Sequence, residues 1–238
     1  MSKRKRPGFA LSLLRASHPG ESLVIAVGVT LGAVLIGRPL REVALVFATV
    51  LLGRLTAGWL NDAADRRRDA AAGRLDKPVA QGWVDGGTVT FTVACATCVL
   101  VPLSISNGTV AGVAHLLSVL AAWAYCTRIK TTRLSFLPWA ISFALLPAFL
   151  SYGGWGGGVH GGPPTVLMTV LAGLLGVGVH VILALQDLVG DNRIGLRTFP
   201  LMIALKIGAG KLLVLSGVWT VAVLGGIVAA GLGPGLTQ

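Results

Sequence analysis

Acidic residues are scarce in this sequence. Nine of 238 residues are Asp or Glu, and charged residues of both signs make up only 12%. A soluble domain of that length needs far more polar surface, so a water-soluble globule is excluded. Cysteine is scarce too, with only Cys95, Cys98 and Cys126. Cys95-x-x-Cys98 sits in an apolar run with no second Cys or His pair nearby, and a structural zinc site takes about four ligands. The three cysteines are therefore read as small buried hydrophobes. No cleavable signal peptide is evident. The first apolar run is longer than a usual signal core and lacks a small-residue cleavage site before the next charges.

What fills the chain is apolar. Hydrophobic residues make up 54% of it, and the mean hydropathy is +0.79. They fall in seven blocks, 21–37, 43–60, 86–106, 109–127, 134–152, 164–186 and 209–232. Each is roughly long enough to cross a bilayer as helix. The expected fold is all-α: a polytopic transmembrane helix bundle of about seven helices. A basic N-terminal segment, 1–20, precedes a single membrane domain over 21–238. The blocks are rich in Gly and Ala, which suits close helix packing in lipid, and Gly28 with Gly32 makes one GxxxG pair. No repeat of fixed short period is evident.

The net charge of +11 raises the question of nucleic acid. Its distribution argues against that partner. Seventeen of the 20 basic residues lie in four segments: the N-terminus, the 61–87 loop, the 127–133 loop and the 187–211 segment. With seven helices these four share one side. The other side has Arg38 and Arg41, and Arg54 lies within the second block. This is a positive-inside pattern. It predicts an integral protein of the plasma membrane with its N-terminus and charged loops in the cytoplasm, and it assigns the KRKR run at 3–6 to topology and anionic lipid. The uncharged loop YGGWGGGVHGGPP, with His160, would face outward as a flexible connector.

Six of the nine acids lie in or just after two clusters, Asp62, Asp65, Asp69 and Asp76, then Asp187 and Asp191. If the second helix continues past residue 60, Asn61, Asp62, Asp65 and Asp69 form one stripe. Asp187 and Asp191 repeat the i, i+4 spacing at the end of the sixth block. Solvated helix ends paired with neighbouring Arg residues would explain one such cluster. Two matched clusters on one membrane face point instead to divalent cations. Oxygen ligands without His or Cys suit Mg²⁺, which takes a few carboxylates plus phosphate oxygens and water. Flanking Arg and Lys would complete a phosphate site. A lipid diphosphate fits both the charged end and the apolar helices.

The residues themselves carry a resemblance. Asn61-Asp62-x-x-Asp65-x-x-x-Asp69 resembles the NDxxDxxxD motif of the UbiA superfamily of intramembrane prenyltransferases, of the 4-hydroxybenzoate polyprenyltransferase type. The following GRLDKPVAQG resembles that motif's basic, Pro- and Gly-containing continuation. DLVGDNRIGLRTFP resembles the second family motif, DxxxD followed by G-x-R-T-x-P. Arg54 matches an Arg often found before the first motif. Tyr125 and Lys130, in YCTRIKTTR, resemble the Tyr-plus-Lys element between the motifs.

The resemblance implies a helix bundle around a central cavity, with the site at the cytoplasmic face. Asn61, Asp62, Asp65, Asp187 and Asp191 would hold Mg²⁺. The metal-bound prenyl diphosphate would ionise, and a lipophilic acceptor, commonly aromatic, would capture the cation. Arg128 and Lys130 are diphosphate candidates. Tyr125 would hydrogen-bond in the site or sit in an interfacial belt. Asp69, one turn further out, would act through water or pair with Arg. Arg54 would meet diphosphate or a motif Asp. His180 shares the face of Asp187 and is expected as a packed histidine rather than a general base. The family usually has nine helices, so seven suggest a naturally short protein, a fragment, or completion by a second copy or a partner subunit. Two rival readings keep the fold: a membrane terpene cyclase, and a non-catalytic carrier or scaffold. Phosphatidyl transfer from a CDP-alcohol is excluded, because the only Asp-Gly, Asp85-Gly86, leads into GTVTF rather than Ala-Arg.

Overall fold

The computed structural model describes residues 7–71, 73–74, 76–154 and 162–231. The KRKR run at 3–6, and most of the Gly-rich connector with His160, lie outside the described residues. Within them the chain is helical: α1 (Phe9–Ala16), α2 (Pro19–Leu35), α3 (Leu40–Ala71), α4 (Gly86–Ile105), α5 (Thr109–Ala124), α6 (Leu137–Ala144), α7 (Leu146–Ser151), α8 (Val166–Ala184), α9 (Leu188–Arg193), α10 (Phe199–Ile207) and α11 (Ala209–Gly231). A π turn, Tyr125–Ile129, extends α5, and a 3-10 turn, Leu185–Asp187, joins α8 to α9.

Five helical stretches are long and apolar enough to cross a membrane: 40–71, 86–105, 109–129, 166–193 and 209–231. A sixth forms if α1 and α2, bent by 56° at Ser17–His18, count as one broken span. The seventh expected block differs. Residues 134–152 give only the shorter Leu137–Ser151, interrupted at Leu145. Pro147, at the start of α7, has no N–H to return to the preceding turn, and proline at a first turn begins a new helix.

Two compact units divide the chain, Met1–Leu103 and Ser104–Gln238. In the first, α2 packs along α3, and α1 reaches α3 as well. Trp59 Nε1 donates to the Leu13 carbonyl at 2.8 Å. The stretch 1–20 is thus tied into this unit from residue 9 onward. Ala16, Val79, Val84 and Val89 form a buried cluster, with Leu13, Trp59 and Ala63 against it. Asp85 caps α4, its Oδ2 accepting from Gly87 N–H at 2.7 Å and Thr88 N–H at 3.2 Å. In the second unit α8 packs against both α6 and α11, and α5 packs on α6 and α7. Thr165 caps α8 by accepting from Met168 N–H at 3.2 Å.

The small residues pack where the sequence pattern did not point. A side chain added at Gly28 would meet nothing within 4 Å, so that half of the GxxxG pair makes no close helix contact. At Gly58 a Cβ would lie 2.1 Å from the Ser17 carbonyl oxygen, and at Gly176 it would lie 2.4 Å from the Trp139 carbonyl oxygen. These glycines are where backbones approach. Cys126 is buried as expected, but Cys95 and Cys98 are exposed on α4. That helix presents most of its apolar surface outward, so thiols there share the exposure of Val99 and Val101. With five apolar spans this is an integral membrane protein.

Candidate active site

α3 continues unbroken from its apolar half through the first acidic cluster, so the stripe of Asn61, Asp62, Asp65 and Asp69 exists as a helical face. It faces inward. Asp62 is 1% exposed, Asp65 7% and Asp69 5%, whereas Arg66 and Arg67 are exposed. Asn61 is half-buried. Solvated helix ends therefore do not describe this cluster. A buried carboxylate must find cations or donors, because desolvation penalises its charge.

Each carboxylate answers that need differently. Arg68 Nη2 donates to Asp65 Oδ2 at 3.0 Å. Asp62 Oδ2 accepts from the Val79 backbone N–H at 3.1 Å, and Lys77 Nζ lies 3.7 Å from Asp62 Oδ1, an ion pair longer than a hydrogen bond. The sequence placed Asp62 among the metal ligands; here its carboxylate is engaged by the segment that follows the motif. Asp69 Oδ2 is buried and takes no hydrogen bond from any described residue. Outside the helix, Arg74 forks onto Asp76 with two bonds of 3.1 Å, which holds the Asp76 carboxyl below its usual range. Gln81 Nε2 donates to the Arg74 carbonyl at 2.9 Å and closes this loop on itself.

The second acidic pair sits in the other unit. Asp187 ends the 3-10 turn and Asp191 lies in α9, both half-buried. Tyr125 opens the π turn and is half-buried. Its ring meets His180 edge-on at 5.4 Å and Trp139 at 5.7 Å, so it packs within its unit rather than standing free in a belt. His180 is buried. Its Nε2 lies 3.1 Å from Ser135 Oγ, which also accepts the Phe199 N–H at 3.3 Å. This is the packed histidine expected from sequence. Arg128 is exposed, and Lys130 and Arg54 are half-buried. Arg54 lies close enough to Glu21 to interact with its charge. The contacts of Lys77 and His18 with the first cluster were not foreseen.

Among the described residues no three His, Cys, Asp or Glu side chains stand together as a closed metal site. The donor set still suits Mg²⁺, which takes one or two carboxylates and draws its remaining ligands from phosphate and water. Asp65 and Asp69 offer hard oxygens on one buried stripe, and Asp69 Oδ2 takes no hydrogen bond from the described residues around it.

A membrane helix bundle with a buried acidic stripe and a second acidic pair defines the class. The UbiA prenyltransferase family model matches residues 22–237, and the chain belongs to that family. It is 29% identical over 192 residues to digeranylgeranylglyceryl phosphate synthase of Methanopyrus kandleri, covering 79% of this chain and 68% of that protein. It is 28% identical over 177 residues to the bacteriochlorophyll synthase 33 kDa chain of Cereibacter sphaeroides, covering 67% of this chain. That match spans 56% of the relative's own length. Its fold is that of a UbiA homolog from Archaeoglobus fulgidus solved with GPP and Mg²⁺. There the TM-score is 0.71 at 15% identity, over 92% of this chain and 82% of that one. The same homolog solved with DMAPP and Mg²⁺ gives a TM-score of 0.69, also at 15% identity, over 92% and 78% of the two chains.

Proposed function

We propose that this chain transfers an isoprenyl group from a prenyl diphosphate to a lipophilic, aromatic acceptor in the membrane, with Mg²⁺ as cofactor. The observation that carries the reading is the buried acidic stripe of α3, with three carboxylates almost wholly withdrawn from solvent. Arg68 pairs with Asp65, and Asp69 Oδ2 takes no hydrogen bond from any described residue. The ligands bound to the Archaeoglobus fulgidus homolog support assigning a prenyl diphosphate and Mg²⁺ to this fold.

In this reading Asn61 and Asp65 hold the metal from the first motif, with Asp69 one turn further along the stripe. The motif resemblance assigns Asp187 and Asp191 to the same ions. Bound Mg²⁺ would withdraw charge from the leaving diphosphate. By the same resemblance Arg128, Lys130 and Arg54 would donate to its oxygens as negative charge builds there, and the Tyr125 hydroxyl would add a further donor. The apolar helices keep water from the reacting carbon. The positive-inside asymmetry supports a cytoplasmic orientation for both acidic motifs.

The test uses the purified chain in lipid discs with a prenyl diphosphate and candidate aromatic acceptors, followed by mass spectrometry. Turnover should need Mg²⁺, fall in EDTA and return when Mg²⁺ is restored. Asp65→Asn should lower it by about 100- to 1000-fold, the equivalent of ~3–4 kcal/mol of lost charge stabilisation. Asp187→Asn should act likewise, and the double variant should lose far less than the two effects combined. Asp85→Asn keeps an N-cap and should retain activity. Metal-independent turnover, or losses that simply add, would overturn the reading. Hydrocarbon release without any acceptor would make the chain a cyclase.

A further inference from the structure

Four side chains from three separate elements meet behind the first motif. Lys77 Nζ lies 2.8 Å from His18 Nε2 and 3.7 Å from Asp62 Oδ1. An ammonium can only donate, so Lys77 donates to the Nε2 lone pair and the ring proton belongs on Nδ1. That nitrogen faces Glu21 Oε1 at 3.8 Å. With Nε2 accepting, the 3.9 Å approach of His18 to Asp62 is a neighbourhood and not an ion pair. The Asp62 side chain is wholly buried and that of Lys77 nearly so, which leaves this pair little water as an alternative partner.

The backbone around this group is equally constrained. His18 is the only described non-glycine residue at positive φ, 51°, and it forms the elbow between α1 and α2. Ser17, beside it, presses its carbonyl on α3 at Gly58. Val79, two residues after Lys77, gives its N–H to Asp62 and its side chain to the apolar cluster with Ala16, Val84 and Val89.

We propose that Asp62 is a positioning residue rather than a metal ligand: with Lys77 and His18 it latches the 77–82 segment and the α1–α2 elbow onto the acidic helix. The latch fixes the basic loop relative to Asn61 and Asp65, so it governs binding of the prenyl diphosphate more than binding of the metal. This consequence rests on the transferase reading; the latch itself does not.

The experiment compares Asp62→Asn, Lys77→Met and Asp65→Asn in lipid discs, by hydrogen exchange and by kinetics. Asp62→Asn and Lys77→Met each leave one charge of the pair buried alone. Both should speed exchange at the Val79 amide and across 77–82 by about tenfold or more. Both should raise KM for the prenyl diphosphate by a similar factor, while the Mg²⁺ concentration for half-maximal turnover stays within about twofold. Asp65→Asn should do the reverse, raising the Mg²⁺ requirement with Val79 exchange unchanged. The double variant Asp62→Asn/Lys77→Met removes both charges and should recover part of the protection. A raised Mg²⁺ requirement in Asp62→Asn with unaltered Val79 exchange would make Asp62 a ligand and overturn the latch. If Asp62→Asn does not fold, Lys77→Met alone decides by the same exchange readout. A wild type without Mg²⁺-dependent turnover would refute the transferase reading while leaving the exchange comparison able to confirm or refute the latch.

Discussion

Gly58 tests whether the acidic helix is held by backbone contact. Replacing it with Ala puts a Cβ 2.1 Å from the Ser17 carbonyl oxygen, 2.5 Å from its carbon and 3.0 Å from its Cα. All three atoms are main chain, so no rotamer change relieves the overlap. Real contacts essentially never fall below 3.0 Å, so the elbow or α3 must move by about 0.9 Å, the difference between 3.0 and 2.1. Overpacking of this kind costs about 1–3 kcal/mol or more. Gly28→Ala is the matched comparison, because nothing lies within 4 Å of the new methyl and Ala favours helix by roughly 1 kcal/mol. The two variants should therefore differ by about 2–4 kcal/mol in unfolding free energy, measured by denaturant titration in mixed micelles. Gly58 is also one turn before Asn61. A displacement near 1 Å at a reacting site lowers turnover on the order of 100-fold, so Gly58→Ala should lose activity even where it remains folded. Equal unfolding midpoints for the two variants, with full turnover in both, would refute the packing argument.

Two further outcomes are expected. Arg38 Nη1 donates to Glu42 Oε2 at 3.0 Å with both side chains buried, and burial pulls the guanidinium below its ordinary value while Glu42 supports it. Arg38→Met should destabilise by about 3–5 kcal/mol, and adding Glu42→Leu should recover much of that loss in the same titration. For topology, single cysteines at Ser2 and Gly157 in a Cys-free background should react with an impermeant reagent from opposite sides of the membrane. Labelling of both from outside intact cells would overturn the cytoplasmic placement of the acidic motifs.

The sequence showed α3 well because two periodic signals agree across it. Its apolar run and the i, i+4 acids both require helix, and the helix runs to Ala71 without a break. It showed the 134–152 block poorly because composition alone suggested a span. Pro138 and Pro147, both at helix starts, were the available signal for the break. The thiols of Cys95 and Cys98 were misassigned because apolar residues face lipid as readily as they face a core. The motif residues were readable as chemistry, but not their surroundings. His18 and Lys77 are 59 positions apart, and nothing local to either marks the other as a neighbour. Lys77 counted as one more topogenic cation until the fold placed it against Asp62.

The π turn at Tyr125–Ile129 has a consequence for how this region can vary. A π turn holds one residue more than the α-helical turn it replaces, and each residue of a helix turns the chain by about 100°. A continuous helix would tie the azimuth of Lys130 rigidly to the lipid-facing pattern of Val113, Leu117 and Leu120. The wider turn absorbs the extra residue, so Lys130 keeps the azimuth it would have one residue earlier in a continuous helix. A single-codon deletion within 125–129 that closes the turn to regular α-helix would leave Lys130 aimed as before and the apolar surface of α5 untouched. This stretch can thus lose one amino acid without turning the basic side chains away from their place relative to the bilayer.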